Sequence, residues 1–95
     1  MSQNDKIVRH IINENLKSAL RQKGHEPSET IPDDLVLLQS GLDSLAFAIL
    51  ITELEDTLGY DPFTLQEEPI YPRTFGEFLS VYLQFSEHLS PNVTA

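Results

Sequence analysis

The residue types and spacing best suited to chemistry lie at Gly41-Leu42-Asp43-Ser44-Leu45, between a long polar connection and the most apolar helix-like run of the chain. This places Ser44 at a helix start. The first backbone N–H groups of a helix lack intrahelical partners, and the aligned peptide dipoles put partial positive charge there, so a phosphate on that hydroxyl would be well accommodated. The same two residues also suit a purely structural role, because Asp and Ser are both favoured helix caps. Other chemistries are poorly supplied. The Gly-x-Ser-x-Gly elbow of a serine hydrolase is absent, and His10, His25 and His88 lie in three separate segments, so no catalytic residue is assigned. No His or acid pair has metal-ligand spacing: Asp33-Asp34 and Glu67-Glu68 read as solvated loop charges. Four scattered glycines cannot form a phosphate-cradling loop.

The run Ser40-Gly41-Leu42-Asp43-Ser44-Leu45, followed by an apolar helix that closes with Glu53-Leu54-Glu55-Asp56-Thr57-Leu58-Gly59, resembles the acyl carrier protein family. The resemblance extends over most of the chain, with one helix before the motif and another after the following loop. It implies an all-α bundle of three to four helices with a long first loop. It also implies a 4'-phosphopantetheine arm, derived from coenzyme A, on Ser44, with Asp43 beside it in the cofactor-binding motif. The terminal thiol of that arm would hold an acyl or aminoacyl group as a thioester. The implied partners are a phosphopantetheinyl transferase, an adenylating ligase or acyltransferase, and a downstream synthase. Two departures stand out. Ala46 and Ile49 occupy positions that are typically acidic in the carriers of fatty-acid synthesis, a pattern closer to the apolar docking helix of peptidyl carrier domains or of a specialised carrier. The Glu67-Glu68-Pro69-Ile70-Tyr71-Pro72 stretch also differs from the family's usual short third helix.

Ninety-five residues suit a single domain over 1–95, with an ordered core over about 3–90, large enough for one core but not for a core plus a deep cleft. The net charge of −9 is unevenly spread. Residues 1–23 carry five bases against two acids, a net +3, whereas only Arg73 opposes thirteen carboxylates from residue 24 onward, a net −12. Such a surface repels nucleic acid and anionic membrane and steers the domain toward basic patches on protein partners; it also serves solubility. Without cysteine there is no disulfide framework, thiolate metal site or cysteine nucleophile, and any reactive thiol must come from a cofactor. The start of the chain lacks the basic and apolar regions of a signal peptide and no run approaches a membrane span, so the expectation is a cytoplasmic protein, with a monomer compatible with its composition. On that expectation the Asn92-Val93-Thr94 sequon is a chance match.

The elements that must position Ser44 follow from periodicity. Ile7, Val8, Ile11, Ile12, Leu16, Ala19 and Leu20 form the stripe of a first amphipathic helix, with Ser2 or Asn4 as its cap and Gly24 as its stop. Residues 24–43 form a long connection, anchored by Leu35–Leu38 as a turn or, alternatively, as a short strand. The second helix, about Ser44 to Leu58, has an inward stripe of Phe47, Ile51, Leu54 and Leu58 with Leu50 beside it. A second stripe of Leu45, Ala46, Ile49 and Thr52 leads to Glu53, Glu55 and Asp56. That second stripe either stays exposed as a partner-binding face, with Glu53 and Asp56, or packs under the 24–43 loop. A turn at Tyr60–Phe63 buries Phe63, and at most two helical turns fit before Pro69. The last helix opens at Thr74 with a capping-box spacing to Glu77 and uses Phe75, Phe78, Leu79, Tyr82, Phe85 and Leu89 as its core stripe. The alternative to a carrier is an acidic helical interaction module that binds a partner through Leu45–Ile49 without any cofactor.

Overall fold

The computed structural model describes residues 2–69 and 71–93; Met1, Ile70, Thr94 and Ala95 lie outside the described residues, and with them the ends of the 1–95 domain assignment, the middle of the two-proline stretch and the end of the sequon. Four α-helices are present among the described residues: α1 (Gln3–Gln22), α2 (Ser44–Leu58), α3 (Pro62–Leu65) and α4 (Phe75–Gln84). Two 3-10 turns, Leu37–Gln39 and Ser86–His88, complete a small all-α bundle.

Each helix starts where a short polar side chain can satisfy its first donors. Ser2 Oγ accepts from Asp5 N, Asp43 from Ala46 N, Asp61 from Phe63 N and Thr74 Oγ1 from Glu77 N. At Thr74 the expected reciprocal bond takes another form, because the Thr74 hydroxyl donates to Glu77 Oε1 at 3.3 Å. Gly59 ends α2 at φ 88°, and its N–H donates to Glu55 O, so the left-handed residue closes the last turn. A Cβ there would also meet Ser90, which packs against the end of α2 through Ser90 N to Leu58 O at 2.9 Å.

The core lies where α1 packs against α2 and α4. Val8, Ile12 and Leu16 of α1 meet Leu50, Leu54 and Leu58 of α2 and Phe78, Leu79 and Tyr82 of α4, all buried. Aromatic rings fill the gap between α2, α3 and α4: Phe78 lies 5.4 Å from Phe47 and 5.0 Å from Tyr82 between ring centroids, and Phe63 stands edge-on to Tyr82 at 5.8 Å. The Tyr60 hydroxyl donates to Tyr82 O at 2.8 Å, which pins the α2–α3 connection to α4.

The long connection is anchored by the expected turn and by an isolated bridge, and no strand forms at Leu35–Leu38. Leu37 N donates to Arg73 O and Phe75 N to Leu35 O, each at 2.9 Å, around an antiparallel bridge between Val36 and Thr74. A 3-10 turn follows at once. The partner for the bridge comes from the residues that lead into α4, so no second strand is required.

Three expectations need correction. The buried line of α2 is Leu50, Leu54 and Leu58, at a strict four-residue spacing, whereas Phe47 and Ile51 are only half-buried at the edge of a groove. Phe63 is likewise half-buried. The last helix stops at Gln84, and Phe85 and Leu89 reach the core through the 3-10 turn: Asn4 Nδ2 donates to Ser86 O at 3.0 Å, and the Ser86 hydroxyl donates to Asp5 at 2.6 Å, drawing this end of the chain onto the start of α1.

Candidate functional site

Ser44 is the first residue of α2 and is exposed. Its placement is decided by its neighbours. Leu42 is buried to 1% exposure in the core, while Leu45 on the other side of Ser44 is 68% exposed, so the chain turns from interior to surface within three residues. Burial of a leucine side chain is worth about 1.5–3 kcal/mol, which fixes the loop immediately before the helix. Gly41 precedes it at φ 105°, and the His25 ring occupies the space a Cβ would need. The His25 N–H in turn donates to Leu20 O at 3.0 Å, so the end of α1 carries the ring that packs on Gly41.

Asp43, not Ser44, is the cap. Its Oδ1 accepts from Ala46 N at 2.8 Å and its carbonyl from Phe47 N at 2.9 Å. Its other oxygen, Oδ2, lies 2.9 Å from Lys23 Nζ. The Ala46 N–H first and the Lys23 ammonium second hold the Asp43 carboxyl below the usual carboxylate range. Because the aspartate does the capping, the Ser44 hydroxyl has no capping role. An exposed hydroxyl at the positive end of a fifteen-residue helix is suited to carry a phosphodiester.

Two surfaces flank this point. On one side of α2, Leu45 and Ile49, 68% and 48% exposed, border a groove of about 230 Å³ whose opposite wall is Ala19, Gln22 and Lys23 of α1. Leu45 and Ile49 therefore do not lie under the 24–43 loop. Of the other residues expected on this face, Thr52, Glu53 and Asp56 are exposed. Ala46 is a correction: it is half-buried against the core because it faces α1. On the other side of α2, Phe47 and Ile51 line an open apolar groove of about 400 Å³ with Leu38, Phe63, Tyr71 and Pro72. Leu38 is 58% and Tyr71 84% exposed at its rim. Phe47 is three residues, close to one helical turn, beyond Ser44.

The histidines do not converge: His10 is on the outer face of α1, His25 packs on Gly41, and His88 lies beside Tyr60 and Phe85. Among the described residues no group of three His, Asp or Glu side chains is placed to hold a metal ion, and no helix is long and apolar enough to cross a membrane. Comparisons with protein families, with curated proteins and with solved structures return no match.

Lys23 and His25 are the residues that motif reasoning did not single out. Lys23 stands twenty positions from Asp43, and no local spacing announces that pair. Gly41 offered a partial signal, since a glycine three residues before a helix often takes a backbone conformation closed to other residues.

Proposed function

We propose that the chain is a carrier similar to the acyl carrier proteins, working in the cytoplasm. It would be modified at Ser44 with 4'-phosphopantetheine and hold an acyl or aminoacyl group as a thioester for delivery between enzymes. The observation that carries this reading is the division of labour at the start of α2: Asp43 supplies the cap, and the adjacent Ser44 is left exposed at the positive helix end. In the attachment step, the Ser44 oxygen attacks the phosphorus of coenzyme A that bears pantetheine. The new Ser44 O–P bond forms as the pyrophosphate P–O bond breaks. Adenosine 3',5'-bisphosphate leaves, and the hydroxyl proton passes to a base on the transferase. This chain's part is to present the hydroxyl, and Ser44 has no role in later chemistry.

Two further features support the reading. The exposed Leu45 and Ile49, followed by Glu53 and Asp56, offer the transferase, a loading ligase or acyltransferase, and a synthase a face beside the attachment point. The groove lined by Phe47, Ile51 and Tyr71 opens within a turn of Ser44 and is apolar enough to shelter a hydrocarbon cargo. The same exposed stripe also suits the second reading, an acidic interaction module without cofactor. The two part on covalent chemistry. Protein purified from cells and digested should yield a Ser44 peptide bearing phosphopantetheine, whose cargo is released by neutral hydroxylamine as thioesters are. Unmodified Ser44 after exposure to an active transferase would favour the interaction module.

A further inference from the structure

The open groove of about 400 Å³ beside α2 does not end at its apolar lining. Its wall of Leu38, Tyr71 and Pro72 is shared with a second hollow of about 320 Å³, which continues over Val36 and Gln39 to Arg73. The two form one trough, apolar at the Phe47 and Phe63 end and cationic at the other. The backbone fixes the cationic end: Arg73 O accepts from Leu37 N at 2.9 Å, and the next residue, Thr74, bridges to Val36. Arg73 is the one base opposite thirteen carboxylates from residue 24 onward, yet among the described residues no carboxylate forms an ion pair with it. The groove on the other side of α2 has no such free cation, because Lys23 is held by Asp43 at 2.9 Å and Glu53 stands in its wall. Lys6 and Arg9 form no ion pair among the described residues either, but they line neither groove.

We infer that this trough binds a free apolar carboxylic acid as its anion, with the carboxylate on the Arg73 guanidinium and the apolar body laid across Leu38 and Tyr71 toward Phe47 and Phe63. The inference goes beyond the carrier reading and stands whether or not Ser44 is modified. Charge selects the ligand. A guanidinium offers planar N–H donors that match a carboxylate, and Arg73 has no carboxylate of this chain on it. The other charges from residue 24 onward are all acidic, so they repel an anion from the rest of this surface and leave Arg73 as the point of attraction. A dianionic phosphate would meet twice that repulsion, which favours the monoanion. Shape agrees. The groove falls in the usual size range of small-molecule clefts, and Leu38 and Tyr71, 58% and 84% exposed, present apolar surface that such a ligand covers.

The test is an NMR titration of the unmodified, isotope-labelled protein with octanoate, beside octanamide as the neutral probe of the same length. Octanoate should give saturable shifts at Leu38, Phe47, Ile51, Tyr71 and Arg73, with a sub-millimolar Kd. Octanamide should bind about tenfold more weakly, as loss of a charge-assisted hydrogen bond predicts. Arg73→Gln should remove the preference for the acid, and Tyr71→Asp, which puts a carboxylate on the rim, should weaken octanoate by a similar factor. Both side chains are exposed, and melting temperatures verify the fold of each variant. Arg9→Gln removes the same charge from the exposed part of α1 and should bind as the wild type does. No saturable shift at millimolar octanoate, equal affinity for octanamide, or full affinity in Arg73→Gln would each overturn the assignment. None of these results bears on whether Ser44 accepts phosphopantetheine, so the carrier reading stands or falls separately.

Discussion

Lys23 Nζ lies 2.9 Å from Asp43 Oδ2, and this pair joins the end of α1 to the cap of α2 one residue before Ser44. Both side chains are well exposed, so the pair contributes little to overall stability. Its consequence is local. The Asp43 carboxylate is held by the Ala46 N–H on one oxygen and by Lys23 on the other, which leaves the neighbouring Ser44 hydroxyl outside the capping network.

The inward–outward turn of the motif predicts opposite behaviour for two leucines three residues apart. Leu42→Ala empties a fully buried site and should cost about 2–5 kcal/mol. Leu45→Ala, on the exposed side, should change stability by no more than about 0.5 kcal/mol. Urea denaturation of both variants measures the contrast; equal losses would mean that Leu45 is also buried.

How much of this was legible in the sequence depended on the reach of each interaction. The bounds of α2 could be read directly, because Asp43 and Gly59 are local signals that act within one turn. The all-α class followed from the stripes of α1, α2 and α4, whose periods are set by the same local geometry. Leu42 was not legible as a core residue, since an isolated leucine in a polar loop has no period to reveal its side. The Val36–Thr74 bridge, the Lys23–Asp43 pair and the His25–Gly41 contact join distant segments and could only be seen once the chain was folded. The early end of α4 has the same origin, because Ser86 is engaged by Asn4 and Asp5 across the whole length of the chain.

The carboxyls of Asp43 and Asp5 predict an acid-labile component of stability. The Ser86 hydroxyl chiefly, together with Ser2, holds the Asp5 carboxyl below its ordinary range, as Ala46 and Lys23 do for Asp43. A carboxyl whose folded value is depressed stabilises the fold fully above the unfolded value, near pH 4, and loses that contribution as the pH falls through the folded value. Asp43→Asn should therefore lower the urea midpoint at pH 7, and its difference from the wild type should shrink steadily below pH 4. A gap that stays constant down to about pH 2.5 would contradict the assignment of the carboxylate to the cap.

Gly41 and His25 should behave as a coupled pair. Gly41→Ala places a side chain at φ 105° and against the His25 ring, for an expected loss of about 1–3 kcal/mol. His25→Ala removes the second of these penalties, so the double variant should be less destabilised than the sum of the two single variants. Strict additivity would show that the ring moves aside without cost.

The central claim is that Ser44 is a presented hydroxyl and not a cap, and the intact mass of the purified protein after incubation with coenzyme A and a broad-specificity phosphopantetheinyl transferase tests it most directly. The wild type should gain the mass of one phosphopantetheine. Ser44→Ala should gain none while melting within about 2 °C of the wild type, because Asp43 still caps α2. An unmodified wild type, under conditions that fully modify a control carrier, would contradict the carrier function.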